Sequence, residues 1–325
     1  MPTNTLGPIA LRPIAQERVW GVTQLPAWYP QPAPGKPIGE LWLTAAECIA
    51  QTESTHGKSL AELVQANPTL FGNSADGFPL LVKTLFPREK LSVQVHPNDA
   101  EAQSTLNQPR GKTECWYILS ADPGAEVALG FRDPITPDEI REAIANNTLE
   151  SKLRYIPVKP GDMVYVDAGT VHAIGPGMVV LETQQYSDVT YRLYDYGRPR
   201  ELHIDAGLAV SKTTTQAGLV PPIEHEGYTR LCTSPYFVVD RFTLDGNHAP
   251  LGKQGELQIL IALTDGCFLE FTDNSITDIN SPGSEGITGH AIPLLPGWAT
   301  ILPAEPIAYT LRSAFGATVI RIAER

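Results

Sequence analysis

A chain of 325 residues with 36 acidic and 24 basic side chains carries a formal net charge of −12. That balance argues against a broad nucleic-acid or anionic-membrane surface, and leaves room for a small basic pocket that takes an anionic metabolite. The length suggests two domains or one large one, with ample chain for a buried core. The opening MPTNTLGPIALRPIAQERVW lacks a basic start followed by a long apolar run, and no stretch nears the roughly 20 apolar residues of a spanning helix. The cysteines Cys48, Cys115, Cys232 and Cys267 are scattered and form no CxxC pair. A disulfide framework or a thiolate zinc site is therefore not expected, and a cytoplasmic protein is.

In chain order, the first helix signal is SLAELVQANPTLFG, with Ser59 as N-cap and an apolar period of three to four. Next comes LSVQVHPNDAEA, residues 91 to 102, in which Leu91, Val93 and Val95 alternate with Ser92, Gln94 and His96 until Pro97 stops the strand. Period-2 alternation points Gln94 and His96 the same way, about 7 Å apart. Glu114 opens the next probable strand, in GKTECWYIL. TPDEIREAIANN is a second helix signal, with Thr136 as N-cap, Pro137 at the first helical position and Glu139 at the capping-box position. KLRYIPVKPGDMVYVDAGTVHAI and MVVLETQQYSDVTYRLY read as consecutive short strands rich in Val, Tyr and Thr. KTTTQAGLVPPIEHEG, residues 212 to 227, looks like a join. CFLEFTD, HAIPLLPGWATILPA and AYTLRSAFGATVIRIA are further strands. The 29 prolines and 27 glycines that punctuate these segments suggest a mainly β chain, a sandwich or barrel, with two short helical insertions in its N-terminal half.

A weak internal repeat supports two related barrels. Gly161 is followed by five residues, then Asp167, Ala168, Gly169, two more residues and His172. Gly297 is followed by five residues, then Pro303, Ala304, Glu305, two more and Ala308. Domains 1–215 and 216–325 are expected, the second without a metal site because alanine stands in the histidine position.

Gln94, His96, Glu114 and His172 together offer two imidazoles, a carboxylate and an amide oxygen. Nitrogen and oxygen donors without thiolate suit zinc, and leave manganese, iron and nickel open. The ligand charges sum to −1, so a dication would keep its Lewis acidity. Taken singly, each residue also has a plainer reading. A strand histidine is more often hydrogen-bonded structure, and Glu114 can pair with Lys112. Arg192, in TYRLYD, reads most simply as a salt bridge with Asp188 or Asp195. Glu182 reads as a strand-surface carboxylate, and Lys83 and Lys112 as solvated charges. His56, His225, His248 and His290 lie in polar, turn-rich surroundings, whereas His203 follows the Arg192 segment closely enough to pack beside it.

The frame around His172 resembles the second motif of the cupin superfamily, with Asp167 in place of the usual proline. More specifically, FPLLVKTLFPREKLSVQVHPND, GKTECWYIL, AGTVHAIGPG and LETQQYSDVTYRLYDYGR resemble the type I mannose-6-phosphate isomerases in their short bacterial form. WG at 20 and 21 and IGELW at 38 to 42 are similar to that family's opening motifs. The resemblance runs across residues 20 to 208 and is only general beyond 215. It implies two cupin-type jelly-roll barrels and one zinc per chain, held by Gln94, His96, Glu114 and His172. It implies Arg192, Glu182 and Lys112 in catalysis, with Glu182 in proton transfer. Ser92, Lys112 and, more weakly, Lys83 correspond to phosphate-binding positions. The longer members carry a further lysine soon after the arginine; here RLYDYGRPR offers Arg198 or Arg200 instead.

The implied reaction is the interconversion of mannose 6-phosphate and fructose 6-phosphate, with a proton moving between C1 and C2 through an enediolate. The partner is then a small sugar phosphate, with no nucleic acid or membrane, and the oligomeric state stays open. Two rival readings are a cupin metal oxygenase or decarboxylase and a non-catalytic sugar-phosphate-binding protein. Gln94, in place of the first histidine of a His-x-His pair, argues against the former. Four apparent ligands plus Arg192 exceed what simple binding needs.

Overall fold

The computed structural model describes residues 5–27, 29, 35–72, 76–246, 248–251, 255–272 and 289–325. The chain is mainly β, its sheets are antiparallel, and it divides into two compact units. One consists of Ala15–Trp42 and Leu80–Pro221, the other of Met1–Ile14, Leu43–Pro79 and Pro222–Arg325.

The first unit holds a seven-stranded and a five-stranded sheet. The seven-stranded sheet runs in the order Gly218–Leu219, Met163–Val166, Glu114–Ala121, Met178–Gln185, Leu80–Leu85, Ile38–Trp42, Ile14–Val22. The five-stranded sheet runs Tyr191–Tyr194, Val93–Val95, His172–Ile174, Glu126–Phe131, Leu153–Pro157. Trp116, Ile118, Val164 and Val180 of the larger sheet share one buried cluster with Val127, Leu129 and Ile174 of the smaller. The smaller sheet's other face is covered too. Val93, Val95, Ala173 and Leu193 pack with Ile140 and Ile144 of the helix Pro137–Ala145 and Leu208 of the helix Ile204–Val210. Because Val93 and Val95 face those helices, strand alternation turns Gln94 the other way, towards the larger sheet.

Both expected capping boxes are present, Ser59 with Glu62 and Thr136 with Glu139. Two helical insertions were expected from the sequence, and the described residues hold four α-helices. Asp99–Leu106 starts at Asn98, whose side chain accepts from the Glu101 N–H while Glu101 reaches back to the Asn98 N–H. Three residues, His96, Pro97 and Asn98, therefore separate the end of a strand from the first residue of a helix.

The second unit repeats the frame of the first. Gly161 and Gly297, both at positive φ, each stand two residues before a four-residue strand, Met163–Val166 and Ala299–Leu302. His172–Ile174 pairs with Val93–Val95 and Glu126–Phe131. Tyr309–Ser313 pairs correspondingly with His248–Pro250 and Cys267–Thr272. Ala308 is exposed, just before its strand.

The division between units departs from a single cut at 215. Leu219 pairs with Val164, which keeps that segment in the first unit, and the crossing falls between Pro221 and Pro222. Ile9–Arg12 pairs with Ala299–Leu302 and with Ile49–Ala50, so residues 1–14 and 43–79 belong to the second unit. The helix Leu60–Ala66 lies there too, and is not an insertion in the first unit. All four cysteines are buried and stand outside any disulfide. Among the described residues no helix is long and apolar enough to cross a membrane.

Gly111 locks the turn that precedes Lys112 and Glu114 against the one that follows His96. A Cβ on Gly111 would sit 2.4 Å from the Pro97 carbonyl oxygen, the Gly111 N–H donates to Asp99, and the Lys112 N–H donates to the Pro97 carbonyl at 3.0 Å. Gly111→Ala forces backbone apart, with an expected cost of about 1–3 kcal/mol. Urea unfolding should show the midpoint fall, and an unchanged midpoint would show that the two turns are not rigidly apposed.

Candidate metal centre and substrate cavity

The two histidines present the same nitrogen to one point. His96 Nδ1 lies 2.8 Å from the Val189 carbonyl, and His172 Nδ1 lies 2.9 Å from the Thr170 carbonyl. A carbonyl only accepts, so each Nδ1 carries the proton and each Nε2 keeps a lone pair. His172 Nε2 is 3.4 Å from Glu114 Oε1, and His96 Nε2 is 3.8 Å from Glu114 Oε2. One ligand atom from each of these three side chains falls within 4.8 Å of the others. Glu114 is fully buried, and its Oε1 has no hydrogen-bond partner among the described residues. Converging buried acceptors are costly unless paired; Lys112 serves His96 Nε2 and Glu114 Oε2, and a metal cation is a group that would satisfy Glu114 Oε1 together with the imidazole lone pairs. Gln94 stands directly opposite His172 in the sheet, its amide nitrogen 3.2 Å from His172 Nε2. A half-turn of that amide offers its oxygen instead.

Burial, then the charge of Lys112, holds both imidazoles below their ordinary range. His96 lies well below it, with His172 adding to the effect, and His172 is lowered to about 4. Both are therefore neutral, ligand-competent donors at pH 7. Lys112 donates to His96 Nε2 at 3.0 Å and to Glu114 Oε2. Burial opposes its charge, but Glu114 and Glu182 outweigh that and raise its pKa, so it stays an ammonium. Glu182 is pushed up, chiefly by burial, with Lys112 opposing.

The larger sheet supplies the opposite wall. Glu182 stands opposite Trp116 on one side and Lys83 on the other, and Glu114 lies two residues before Trp116. Alternation therefore puts Lys83, Glu114 and Glu182 on one face. The plainer reading of Glu182 as a strand-surface carboxylate fails, since it is 4% exposed; Lys83 and Lys112, each 3% exposed, are not solvated charges.

A cavity of about 320 Å³ opens here, lined by Lys83, Ser92, Gln94, Lys112, Glu182 and Arg192, and also by Arg18, Glu40, Asp188 and Arg200. Four of its cations are committed to carboxylates, Arg200 among them through Asp195 outside the cavity wall. Arg18 forks onto Glu40 at 3.0 and 3.2 Å, Lys83 lies 3.1 Å from Asp188, and Lys112 holds Glu114. Arg192 forms no ion pair among the described residues. Asp188 goes to Lys83, and Asp195 is shared by Arg198 and Arg200. The Arg192 Nη1 donates to the Glu201 carbonyl, and its buried Nε has no partner among the described residues. Burial and the charge of Arg200 lower its pKa. Of the two later arginines in RLYDYGRPR, Arg200 lines the cavity, whereas Arg198 donates to the Lys90 carbonyl. His203 packs where expected. It accepts from the Arg192 N–H at 3.2 Å and donates its own N–H to the Arg192 carbonyl.

Arg18, Glu40 and Trp42 carried no site role in the sequence reading. The only signal was alternation in IGELW, which puts Glu40 and Trp42 on one face. In the structure the Trp42 Nε1–H donates to Glu40 at 2.7 Å, and Lys83 lies 5.0 Å over the Trp42 ring.

Comparison with known proteins adds independent findings. The family model described as phosphomannose isomerase type I, catalytic domain, matches residues 9–122. Mannose-6-phosphate isomerase ManA of Bacillus subtilis (strain 168) is 39% identical over 281 residues, covering 81% of this chain and 87% of that protein. A mannose-6-phosphate isomerase of Streptococcus mutans is 38% identical over 254 residues, covering 74% and 80%. The crystal structure of a mannose 6-phosphate isomerase from Bacillus subtilis matches with a TM-score of 0.83 at 32% identity, covering 97% of this chain and 99% of that one.

The lowered histidine pKa values have a stability consequence in metal-stripped protein. His172 is neutral when folded and protonates near 6.5 when unfolded, so below that pH the unfolded chain binds more protons and stability falls with pH. Its stabilisation, on the order of 3 kcal/mol, is fully present above pH 6.5 and is lost as pH falls towards about 4. Urea midpoints of the stripped protein should drop across that window, and His172→Gln should flatten the drop. A pH-independent midpoint would contradict the assignment.

Proposed function

The chain belongs to the phosphomannose isomerase type I family, and we propose that it interconverts mannose 6-phosphate and fructose 6-phosphate with one zinc ion held by Gln94, His96, Glu114 and His172. One observation carries the metal assignment: two imidazole lone pairs and an unpartnered carboxylate oxygen converge in a buried site beside a cation-rich cavity. The set has no thiolate, which suits a zinc kept acidic enough for chemistry rather than one closed for structure. When bound, the ion polarises the sugar oxygens and stabilises negative charge developing on them.

The proton between C2 and C1 falls to Glu182. It is buried, its pKa is raised, and its Oε1 lies 3.8 Å from the Lys112 ammonium. A carboxyl shifted towards neutrality can both take and return a proton, which an exposed glutamate does poorly at pH 7. Lys112 sits between Glu114 and Glu182, so its charge steadies both and faces charge developing on the substrate. Lys83 holds Glu182 and Asp188 in place from the neighbouring strand.

For the phosphate, the cations not already matched by a cavity carboxylate are Arg192 and Arg200. Two guanidiniums close enough for one to depress the other's pKa suit a dianion and gain from its arrival. Ser92 adds a hydroxyl at the same wall. Held there, the phosphate fixes the reacting carbons over the metal side of the cavity. We place the enzyme in the cytoplasm, which suits four buried cysteines outside any disulfide. We assign no metal to the second unit, where Ala308 takes the His172 position.

Three variants separate these roles. His172→Ala should lose zinc and turnover together; full activity of chelated protein would sink the metal assignment. Glu182→Gln should keep zinc while C2-proton exchange with solvent falls by about 10² or more. Near-normal exchange would pass the proton to another group. Arg200→Ala should raise KM by about 10-fold and leave kcat almost unchanged, since phosphate contact is equal in ground and transition states. An unchanged KM would remove Arg200 from the phosphate site.

A further inference from the structure

The second unit keeps the first unit's strand frame but inverts its charges. In the seven-stranded sheet, Trp42, Lys83, Glu182 and Trp116 form one row across four strands. The eight-stranded sheet has a corresponding row, Arg230, Asp240, Arg321 and Leu260. The correspondence is fixed by register. Glu114 opens its strand opposite Val166, five residues after Gly161, and Gln258 opens its strand opposite Leu302, five residues after Gly297. Each row lies two residues further on. The Lys83–Glu182 pair is therefore replaced by Asp240–Arg321, with Arg230 where Trp42 stands.

Asp240 is fully buried and accepts from Arg230 Nε and from Nε and Nη2 of Arg321. Arg321, 8% exposed, lies 5.9 Å over the Tyr228 ring and 5.7 Å over that of Phe242. A structural bridge needs one guanidinium per carboxylate. Here two share one, so Asp240 does not use all the N–H donors of the pair. Among the described residues, Arg321 Nη1 and Arg230 Nη2 make no hydrogen bond.

Both arginines line a cavity of about 730 Å³ within this unit, with Arg325, Thr233, Glu256 and Glu324 also in its wall. We propose that this cavity is a second ligand site, for a small hydroxylated anion such as a phosphate- or carboxylate-bearing sugar. Arg230 and Arg321 take the anionic group with their remaining N–H donors. The Thr233 hydroxyl, which accepts from Arg230 Nη1, keeps its own proton to donate to the ligand's oxygens. The site binds without reacting. Gln258 stands where Glu114 does and Ala308 where His172 does, so the ligand set of the first unit is not reproduced.

Equilibrium dialysis of the zinc-loaded full chain against mannose 6-phosphate, read as total bound phosphorus, counts the sites. Two per chain are expected, falling to one in Arg230→Gln, while Arg192→Ala removes the other. Gluconate should compete at the second site if the carboxylate suffices, and inorganic phosphate if the phosphoryl group does. Arg325→Ala, at the cavity wall, should weaken the second site several-fold and serves if Arg230→Gln does not fold. A single site in the wild type, or two sites untouched by both Arg230→Gln and Arg325→Ala, overturns the proposal. Turnover measured on the same samples reports separately on the first unit, so a failed isomerase assay and a missing second site are distinguishable.

Discussion

The buried carboxylate of Glu114 is the constraint around which the first unit is organised. A fully buried charge must be matched; the ammonium of Lys112 meets one of its oxygens, and the lone-pair Nε2 atoms of His96 and His172 converge on the same point, where a bound cation would meet all three side chains. Each needs its own support. Two backbone carbonyls fix the histidine tautomers, and Gly111 lets the turn before Lys112 approach the one after His96. The sheets supply the rest of the positioning, with Gln94 and His172 opposed on one and Glu182 and Lys83 opposed on the other.

The charge balance of the cavity follows from the same constraint. Lys112 is drawn to Glu114, Lys83 to Asp188 and Arg18 to Glu40, which leaves Arg192 and Arg200 as the cations not paired with a carboxylate of the cavity wall. The family resemblance implies Ser92, Lys112 and Lys83 as phosphate contacts. All three line the cavity, but the lysines face carboxylates. Asp195 holds Arg200 from behind, with Nε–Oδ2 and Nη2–Oδ1 both 2.6 Å. Hydrogen bonds from Arg200 and Arg198 outweigh burial and keep that carboxyl below its ordinary range, hence charged.

Much of the site was legible in the sequence because local chemistry carries it. Alternation in LSVQVH fixes the direction of Gln94, Pro97 ends the strand, and the two capping boxes place their helices. The helix after Asn98 carried the same kind of signal, N-D-x-E, but lay hidden behind the strand that precedes it. What was not legible is pairing between distant segments. The Arg18–Glu40 fork joins residues 22 apart, and the Asp188–Lys83 contact spans 105 positions; neither has a local signature. The return of residues 1–14 and 43–79 to the second unit is of the same kind, set by the pairing of Ile9–Arg12 with Ala299–Leu302. The reading of Arg192 as a salt bridge failed because both nearby aspartates are taken by other cations.

The account stands on Glu114 as a metal ligand rather than a partner for Lys112 alone. Glu114→Gln keeps the shape of the side chain and removes its charge. Zinc content and mannose 6-phosphate turnover should be measured on the same samples of this variant and the wild type. The account predicts a folded variant that loses zinc and turnover in proportion, with excess zinc restoring both together. Retained turnover in a variant stripped of zinc would contradict it.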